Sequence, residues 1–189
     1  MKIAITQRVI DFRNGPYDSI DHAFYDMFAG HTLYPIPNNL EHFNTDAIIN
    51  CDMIVFSGGN SMMPDNWQYN NTRLKIEKQT LDIATLWDIP ILGISRGTQF
   101  LTTQLGGDIK SNDNHTDNHS VCYNNRIINV HSRHDEVLNS IPKGATSLAT
   151  DTEGYCESWC LDNIVTVLWH PERMKSHWLP NEAHTILGL

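Results

Sequence analysis

The sequence predicts an α/β fold in which helices flank an open, mostly parallel β-sheet. Short apolar runs such as residues 53–56 and 91–94 are typical of strands that are buried on both faces of a sheet. These runs alternate along the chain with segments whose apolar residues recur at helical spacing. Because helices that alternate with buried strands pack on the two faces of a parallel sheet, the order of elements indicates this fold class.

The first half of the chain contains three predicted strands and one predicted helix. The strands are residues 2–7, 32–37 and 52–56. The helix is predicted to begin at Ser19, whose hydroxyl can cap it, and to place Ile20, Phe24 and Phe28 at helical spacing. Gly30 is expected to end this helix, because glycine readily adopts the left-handed conformation that follows many last turns.

The second half begins with the strongest helical pattern, which starts at Thr72 and places leucines and isoleucines along an apolar stripe ahead of Pro90. Another helix is predicted from Arg96 to Gly106. The polar stretch 110–119, rich in Asn and Asp, is expected to form an exposed loop over the carboxyl edge of the sheet. The remaining strands are residues 91–94, 126–132, 146–150 and 164–170. The late strands can add an antiparallel flap.

The composition favours one domain, residues 1–189, because 189 residues with 40% apolar content can bury one core. The formal net charge of −9 argues against nucleic acid or an anionic membrane as a partner, since both require clustered Lys and Arg. No apolar run approaches the roughly 20 residues of a membrane helix, and the first residues lack a signal-peptide pattern. The four cysteines lack CxxC spacing. We therefore expect a cytoplasmic protein with reduced thiols, either a monomer or a homodimer.

Three loops lie where a parallel sheet places its reactive groups. They are SGGN at 57–60, ISRG at 94–97 and WHPE at 169–172, each directly after a predicted buried strand. Loops at the carboxyl ends of parallel strands meet at one edge of the sheet, so we expect Ser95 and His170 to lie close together. A hydroxyl, an imidazole and a carboxylate are the nucleophile, base and orienting group that acyl transfer requires.

These loops resemble the motifs of the class I glutamine amidotransferase-like superfamily, whose members carry a GxCxGxQ elbow, an upstream Gly-Gly loop and a downstream His-Pro-Glu. The segments ITQR, PIPN, SGGN, PILGISRGTQ, VHSRH and LWHPER occur in the order typical of the branch that hydrolyses γ-glutamyl bonds, and they cover nearly the whole chain. Within that branch, which is peptidase C26-like, WHPER, PIPN and DSIDHAFYDMF are most similar to γ-glutamyl-CDP-amidate hydrolases of bacterial capsule biosynthesis. The resemblance implies a flavodoxin-like arrangement of the sheet.

The resemblance also assigns roles to residues of this chain. Ser95, His170 and Glu172 are the expected nucleophile, base and orienting carboxylate. The backbone N–H groups of Gly59 and Arg96 are the expected oxyanion donors. The expected substrate-binding residues are Gly58, Asn60, Gln99, His131, Ser132 and Arg133. Arg133 stands where the family usually has an aromatic residue, and its guanidinium can meet a phosphate or a carboxylate. No cofactor and no metal ion are expected.

Ser95 departs from the family pattern, because the family uses a Cys at this position. A thiol ionises far more readily than an alcohol, and the Cys attacks as a thiolate to form a γ-glutamyl thioester. Since the rest of the elbow is the cysteine version, we interpret Ser95 as an inactivating replacement of Cys. A natural serine enzyme and a pseudoenzyme that only binds ligand are the alternatives. The GISRG segment also matches the elbow of α/β-hydrolases, but in those enzymes the acid precedes the His, whereas Glu172 follows His170.

Two other features have more than one interpretation. His115 and His119 have the spacing of one helical face, but their polar surroundings disfavour a helix, and no metal site is predicted there. Arg73 and Glu77 are four residues apart on the strongest predicted helix. They form either a solvated ion pair or, as the resemblance implies, a buried pair in which Glu77 anchors the Arg96 side chain.

The predicted function is hydrolysis of a γ-glutamyl amide through a γ-glutamyl-enzyme intermediate, with release of glutamate. The partner is then a small-molecule γ-glutamyl substrate, and the resemblance favours the nucleotide-linked γ-glutamyl-CDP-amidate, which would give cytidine diphosphoramidate. Candidates for binding its phosphates are Arg8, Arg13, Arg96, Arg133 and Arg173. The alternatives are a non-catalytic binding protein and a glutaminase subunit that supplies ammonia to a synthase partner.

Overall fold

The computed structural model describes residues 1–13, 15–60, 62, 67–112 and 117–189, with the side chains of all these except residues 11, 12 and 67–70. The strands are β1 Lys2–Thr6, β2 Arg8–Phe12, β3 Gly15–Ser19, β4 Thr32–Ile36, β5 Met53–Phe56, β6 Ile91–Ile94, β7 Asp108–Ser111, β8 His119–Tyr123, β9 Arg126–Val130, β10 Glu136–Ser140, β11 Thr146–Thr150, β12 Cys156–Leu161 and β13 Ile164–Val167. The helices are α1 Ala23–Met27, α2 Thr45–Ile49, α3 Trp67–Leu86, α4 Arg96–Gln104 and α5 Asn181–Leu187. Short 3-10 turns occupy Leu40–His42 and Pro171–Arg173.

The centre of the fold is a sheet in which β4, β1, β5, β6 and β13 are neighbours in that order and run parallel. Six further strands extend the sheet beyond β13 in antiparallel pairs. The predicted fold class is therefore confirmed, and the late strands form the antiparallel addition. None of the helices in the described part of the chain is long and apolar enough to cross a membrane.

Helices cover both faces of the parallel strands, which explains why those strands are continuously apolar. Along β5, Met53 and Val55 face one core cluster, whereas Ile54 and Phe56 face the other. This alternation follows from the two-residue period of a strand. The first cluster includes residues of α1 and α5, and the second includes residues of α2, α3 and α4. The carboxyl edge of the parallel strands is therefore supported by a packed core on both faces of the sheet.

The helix predicted in the first half of the chain is α1, but its predicted start at Ser19 is wrong. Residues 8–12 and 15–19 instead form the hairpin β2–β3, in which Ser19 pairs with Arg8, and α1 begins only at Ala23. Phe24 and Phe28 are both buried, as their helical spacing predicts. The Asn-Gly pair ahead of residue 16 is a typical hairpin signal, and it accounts for the two strands that precede the helix. The hairpin brings Arg8 to the carboxyl edge of the sheet.

The predicted loop at 110–119 is wrong at both of its ends, because β7 runs to Ser111 and β8 starts at His119. Residues 113–116, and with them His115, lie outside the described residues. The strongest predicted helix is α3, which begins at Trp67 rather than at Thr72. Its polar first turns lack the apolar stripe from which the start was predicted.

The helix α4 packs on the sheet through a glycine. A side chain at Gly97 would place its first carbon against the carbonyl oxygen of Phe56 and 2.6 Å from its carbonyl carbon. Nearby, a side chain at Gly93 would lie 2.7 Å from Leu101. The elbow between β6 and α4 can therefore approach β5 only because these positions lack a side chain.

A buried ion-pair cluster joins α3 to the two loops that follow β5 and β6. Glu77 accepts a hydrogen bond from Arg73 Nε at 2.8 Å and two from Arg96 Nη1 at 2.6 Å. Arg73 and Glu77 are fully buried and Arg96 is 2% exposed, so the interpretation that Glu77 anchors Arg96 is confirmed and the solvated-pair alternative is wrong. Burial opposes ionisation of Glu77, but the two arginines outweigh burial and lower its pKa. Burial, with the neighbouring Arg96, lowers the pKa of Arg73 to about 10, so Arg73 stays charged at neutral pH.

Replacement of Gly97 by Ala should destabilise the protein by about 3 kcal/mol, because the added methyl group overlaps backbone atoms of Phe56 that cannot move without shifting β5. Urea denaturation followed by circular dichroism measures this loss. Gln104→Ala, an exposed change on the same helix, is the matched control and should stay within about 0.5 kcal/mol of the parent. Equal stability of the two variants would contradict the close packing of the elbow.

Replacement of Glu77 by Gln should cost about 3–5 kcal/mol of unfolding free energy at neutral pH, because it leaves two buried guanidinium groups without their carboxylate. The pKa of Glu77 is lowered in the folded state, so its contribution is present above its ordinary value of 4.5 and is lost as the pH falls through the lowered value. The difference between parent and variant should therefore be constant near neutrality and shrink only in acid. Glu41→Gln, at an exposed carboxylate, should show no comparable loss.

Candidate active site

Ser95 lies on a sharp turn between β6 and α4. Its backbone has φ 53° and ψ −113°, a conformation that non-glycine residues rarely adopt. Its N–H donates to Val167 O on β13 at 2.8 Å, which fixes the turn to the neighbouring parallel strand. The residue is the N-cap of α4, so the N–H of Arg96 lies in the first turn of that helix, where N–H groups lack intrahelical acceptors. This N–H suits an anion above the elbow.

The carbonyl groups of the loop after β5 point towards Arg73. The N–H groups that follow them in the chain therefore point away from Arg73. Arg73 donates to Ser57 O at 2.8 Å, Gly59 O at 2.6 Å and Gly58 O at 3.3 Å. In a trans peptide the C=O and the next N–H point in opposite directions, so the Gly59 N–H points away from Arg73. Gly59 has φ +81°, which suits glycine, and a side chain there would lie 2.9 Å from Arg8.

His170 and Glu172 follow β13 and form a direct pair. The 3-10 turn Pro171–Arg173 begins immediately after His170, and it brings Glu172 Oε1 within 2.7 Å of His170 Nδ1. Both residues are buried, at 7% and 4% exposure. A carboxylate at Nδ1 holds the ring proton on that nitrogen and leaves Nε2 free to accept a proton. The N–H of His170 donates to His131 O at 2.7 Å, which anchors the segment.

Gly58 marks the point at which the three loops converge. A side chain at this position would lie 3.0 Å from His170 Cε1 and 3.3 Å from Ser95 Cβ. The imidazole and the Ser95 side chain are therefore both adjacent to the same backbone atom. Among the hydrogen bonds of the described residues, none joins Ser95 Oγ to His170. Such bonds are often long or absent before a substrate is bound, so this does not exclude His170 as the base for residue 95.

Two cavities are lined by Ser95. The first cavity has a volume of about 290 Å³ and is lined by Ser95, Gly58, Gly59, His170 and Glu172, among others. The second cavity, of about 160 Å³, is lined by Gly59, Asn60, Ser95, Arg96, Gln99, Arg133, His134, Asp135 and Glu136. The expected nucleophile and the loop with the other expected oxyanion donor, Gly59, thus border both cavities.

The expected substrate-binding residues divide among the cavities. Asn60 and Gln99 line the second cavity, but the Asn60 side chain already donates to Val9 O and accepts from Val9 N and Arg73, so it holds the hairpin in place. His131 and Ser132 line neither cavity and instead line a third cavity of about 670 Å³. Arg133 lines all three cavities.

His131 lies beside the expected base without contacting the first cavity. Its ring centroid is 6.0 Å from that of His170, with the two rings nearly perpendicular. Burial, together with the neighbouring His170 imidazole, lowers the pKa of His131. His131 is consequently neutral at neutral pH, and its backbone carbonyl holds His170. Ser132 is fixed by a hydrogen bond from its N–H to Asn118 Oδ1 at 3.0 Å.

Arginines dominate one wall of the first cavity. Arg8, Arg133 and Arg173 all line it, whereas Arg96 is committed to Glu77 and lines only the second cavity. Arg13 is an exposed residue of the hairpin turn and does not line either cavity. Arg173 donates to Asp21 Oδ2 at 2.6 Å. Burial opposes ionisation of Asp21, but hydrogen bonds from the Ala23 N–H and Arg173 outweigh burial and lower its pKa.

Sequence reasoning missed three acidic residues of these cavities. Asp21 lines the first cavity, and Asp135 and Glu136 line the second. Asp135 and Glu136 directly follow the VHSRH segment, so their place next to a recognised motif was the available signal. Asp21 lies within the recognised segment DSIDHAFYDMF, but its place in the first cavity follows the hairpin that the sequence analysis missed.

Comparisons with known proteins identify a family for this chain. The family model "Glutamine amidotransferase class-I" matches residues 8–182. A γ-glutamyl-CDP-amidate hydrolase of Campylobacter jejuni is 26% identical over 152 residues, which cover 78% of this chain and 74% of the relative.

Two solved structures share the fold. One is from Thermoplasma acidophilum and is provisionally described as part of a GMP synthase. It has a TM-score of 0.71 and 17% identity, and the match covers 100% of this chain and 90% of the other. A glutamine amidotransferase of Thermotoga maritima has a TM-score of 0.65 and 17% identity, with coverage of 97% and 82%. At these identities the two structures support the fold alone. The family model spans nearly the whole chain and includes all three loops of the site, and the protein therefore belongs to the class I glutamine amidotransferase family.

Proposed function

We propose that the protein acts on γ-glutamyl amides by hydrolysis through a γ-glutamyl-enzyme intermediate. The observation that carries the proposal is the convergence of Ser95 and the His170–Glu172 pair beside Gly58, with Ser95 lining two cavities. The family membership is consistent with amide chemistry of this kind. The hydrolase of Campylobacter jejuni, although only 26% identical, favours a free-standing hydrolase.

The reaction follows from the placement of these groups when a Cys occupies position 95. The thiolate attacks the γ-carbonyl carbon, and the oxyanion that forms receives hydrogen bonds from the N–H groups of Gly59 and Arg96. His170 delivers a proton to the leaving nitrogen as the C–N bond breaks. Water then attacks the thioester carbon while His170 accepts its proton, the C–S bond breaks to regenerate the Cys thiolate, and glutamate is released. Glu172 stabilises the imidazolium formed in each half of the reaction.

The second cavity suits the glutamyl end of the substrate. An α-amino acid carries one ammonium and one carboxylate, and this cavity offers side chains of both signs. The carboxylates are Asp135 and Glu136, and the cations are Arg96 and Arg133. Two nitrogens of Arg96, Nε and Nη2, are buried and have no hydrogen-bond partner among the described residues. They are therefore available to the α-carboxylate, with the amide group of Gln99 close by.

The first cavity suits an anionic leaving group. Arg8, Arg133 and Arg173 line it, and Arg8 Nε is buried without a hydrogen-bond partner among the described residues. Guanidinium groups are well matched to phosphate oxygens. The third cavity shares Arg133 and Arg173 with the first, so a long leaving group can continue into it. This favours a nucleotide-linked substrate, of which γ-glutamyl-CDP-amidate is our choice, with cytidine diphosphoramidate as the product for capsule modification.

We interpret Ser95 as an inactivating replacement of the nucleophilic Cys. The strained backbone at residue 95 and the buried donors around it belong to a site built for an attacking group. An alcohol in that place ionises much less readily than a thiol. We further propose that the protein acts in the cytoplasm as one domain, monomeric or homodimeric, without a nucleic-acid partner. The alternatives are a binding protein without turnover and a glutaminase subunit.

Ser95→Cys should raise kcat/KM for γ-glutamyl amides by about 10³-fold or more, since the nucleophile is the component whose loss costs most in a catalytic set. The assay measures release of glutamate from γ-glutamyl-CDP-amidate and from simple γ-glutamyl amides, with no other protein present. The matched control is Ser57→Cys, which adds a thiol at an equally buried serine of the same cavity and should add no activity.

The alternatives give different results in this assay. Activity of Ser95→Cys that appears only after a synthase is added would favour the glutaminase subunit. Tight ligand binding without turnover by either protein would favour the binding protein. Full activity of the parent, with no gain from Cys, would overturn the interpretation of Ser95 and indicate a natural serine enzyme.

Arg8→Ala, made together with Ser95→Cys, should raise the KM for γ-glutamyl-CDP-amidate by about 10- to 100-fold, because one charged hydrogen bond to phosphate is lost. The KM for γ-glutamyl ethylamide, whose leaving group carries no phosphate, should change by less than about twofold. Arg13→Ala is the matched control, since it removes an exposed arginine of the same hairpin. An unchanged KM for the nucleotide substrate in Arg8→Ala would contradict the placement of phosphate in the first cavity.

A further inference from the structure

A second group of ionisable side chains lies in the antiparallel extension, outside the catalytic constellation. Glu157 on β12 is fully buried, and its Oε2 lies 3.4 Å from His119 Nε2 and 3.5 Å from His134 Nε2. The three ligand atoms all lie within 4.8 Å of one another. His119 begins β8, and His134 follows the loop that carries Arg133. Three separate segments thus bring two imidazoles and one carboxylate to a single point.

Backbone carbonyls orient both imidazoles towards that point. His119 Nδ1 lies 3.2 Å from Asp117 O, and His134 Nδ1 lies 3.0 Å from Glu136 O. A carbonyl oxygen only accepts hydrogen bonds, so each ring carries a proton on Nδ1. Each Nε2 is then either a second N–H or a lone pair aimed at the Glu157 carboxylate. Metal-binding histidines are typically held in this way, with a carbonyl or carboxylate on the nitrogen that does not bind the metal.

A positive charge between the members of this cluster would be favourable, because Glu157 is a carboxylate inside the protein, where charge is costly without compensation. Imidazolium protons and a metal ion are two sources of such a charge. Two imidazolium groups would place two positive charges on rings whose centroids are only 5.6 Å apart, whereas one ion serves all three ligands.

The distances from Glu157 to the two imidazoles favour a metal ion. In tetrahedral coordination with bonds of about 2.0–2.1 Å, neighbouring ligand atoms are about 3.3 Å apart. The distances of 3.4 and 3.5 Å from Glu157 Oε2 to the two Nε2 atoms match this edge and are long for hydrogen bonds between charged groups. We propose that His119, His134 and Glu157 bind a divalent transition-metal ion, with Zn²⁺ as the best match for a set of two imidazoles and one carboxylate.

The proposed ion would act through the architecture of the site rather than in the reaction. It would join β8 and β12 to the segment that carries Ser132 and Arg133, and His134 itself lines the second cavity. The ion would therefore set the position of Arg133, which faces all three cavities. The sequence analysis expected no metal and considered His119 only with His115. The partners of His119 are far from it in the sequence and close only in the fold.

The test is a titration of chelator-treated protein with Zn²⁺ in competition with a chromophoric chelator. We expect one equivalent to bind, and a rise of roughly 5–10 °C in the melting temperature at a free Zn²⁺ concentration of about 100 times Kd. EDTA should reverse this rise. Co²⁺ in place of Zn²⁺ should give the intense visible absorption of a tetrahedral ion. These measurements do not depend on activity, so failure of the proposed hydrolase function would leave them unchanged.

Two variants locate the site. His119→Asn changes a side chain that is 21% exposed, and Glu157→Gln keeps the shape of a buried one. Each should weaken Zn²⁺ binding by at least tenfold. His131→Asn is the matched control, since it removes an imidazole beside His170 and should leave binding unchanged. Failure of the parent to bind one equivalent would overturn the proposal. So would undiminished binding by folded His119→Asn and Glu157→Gln, or loss of binding in His131→Asn.

Discussion

The Glu77 carboxylate is the interaction on which the candidate active site depends. It receives hydrogen bonds from two guanidinium groups, and each of these belongs to a different half of the expected oxyanion site. Arg73 holds the carbonyl groups of the loop that contains Gly59, and Arg96 contributes the donor beside Ser95. The relative position of the two donors is therefore fixed by one buried anion instead of by the loops themselves. With two cations to one anion, the cluster also carries a net positive charge close to the expected oxyanion, which favours a negative charge developing there.

Sequence reasoning succeeded where local pattern and final position coincide. The parallel strands β1, β5 and β6 lie where continuous apolar runs predict them, because helices cover both faces of these strands. The pair Arg73 and Glu77 was recognised by spacing, but spacing alone does not tell an exposed ion pair from a buried one. Burial of this pair arises from the packing of α3 against the elbow. Tertiary packing therefore determines that Glu77 holds Arg96 in a buried cluster. In the sequence, only the resemblance to a family indicated this contact.

The failures have a common physical origin. The hairpin β2–β3 was missed because its few residues have mixed polarity, while Phe24 and Phe28 gave a clear helical period just beyond it. In the antiparallel extension β9 and β11 were predicted, whereas β7, β8, β10 and β12 were missed. The missed strand β7 is mostly exposed, so its sequence carries little apolar pattern. Residues whose roles depend on these elements were missed with them. Arg8 reaches the first cavity only through the hairpin, and the cluster around Glu157 exists only because β12 lies close to β8 in the folded sheet.

The two cavities beside Ser95 differ in the charges of the residues that line them. The second cavity is small and carries charges of both signs, whereas the wall of the first contains three arginines, of which Arg173 is partly neutralised by Asp21. The chain has a net charge of −9, so a group of cations in one cleft contrasts with the rest of the protein and does not serve solubility. Such a local group of cations attracts a compact anion instead of a long polyanion. The substrate proposed above, with a zwitterionic end and an anionic end, matches this difference if its anionic end occupies the first cavity and its zwitterionic end the second. Because Ser95 lines both cavities, the bond between the two ends would then lie beside residue 95.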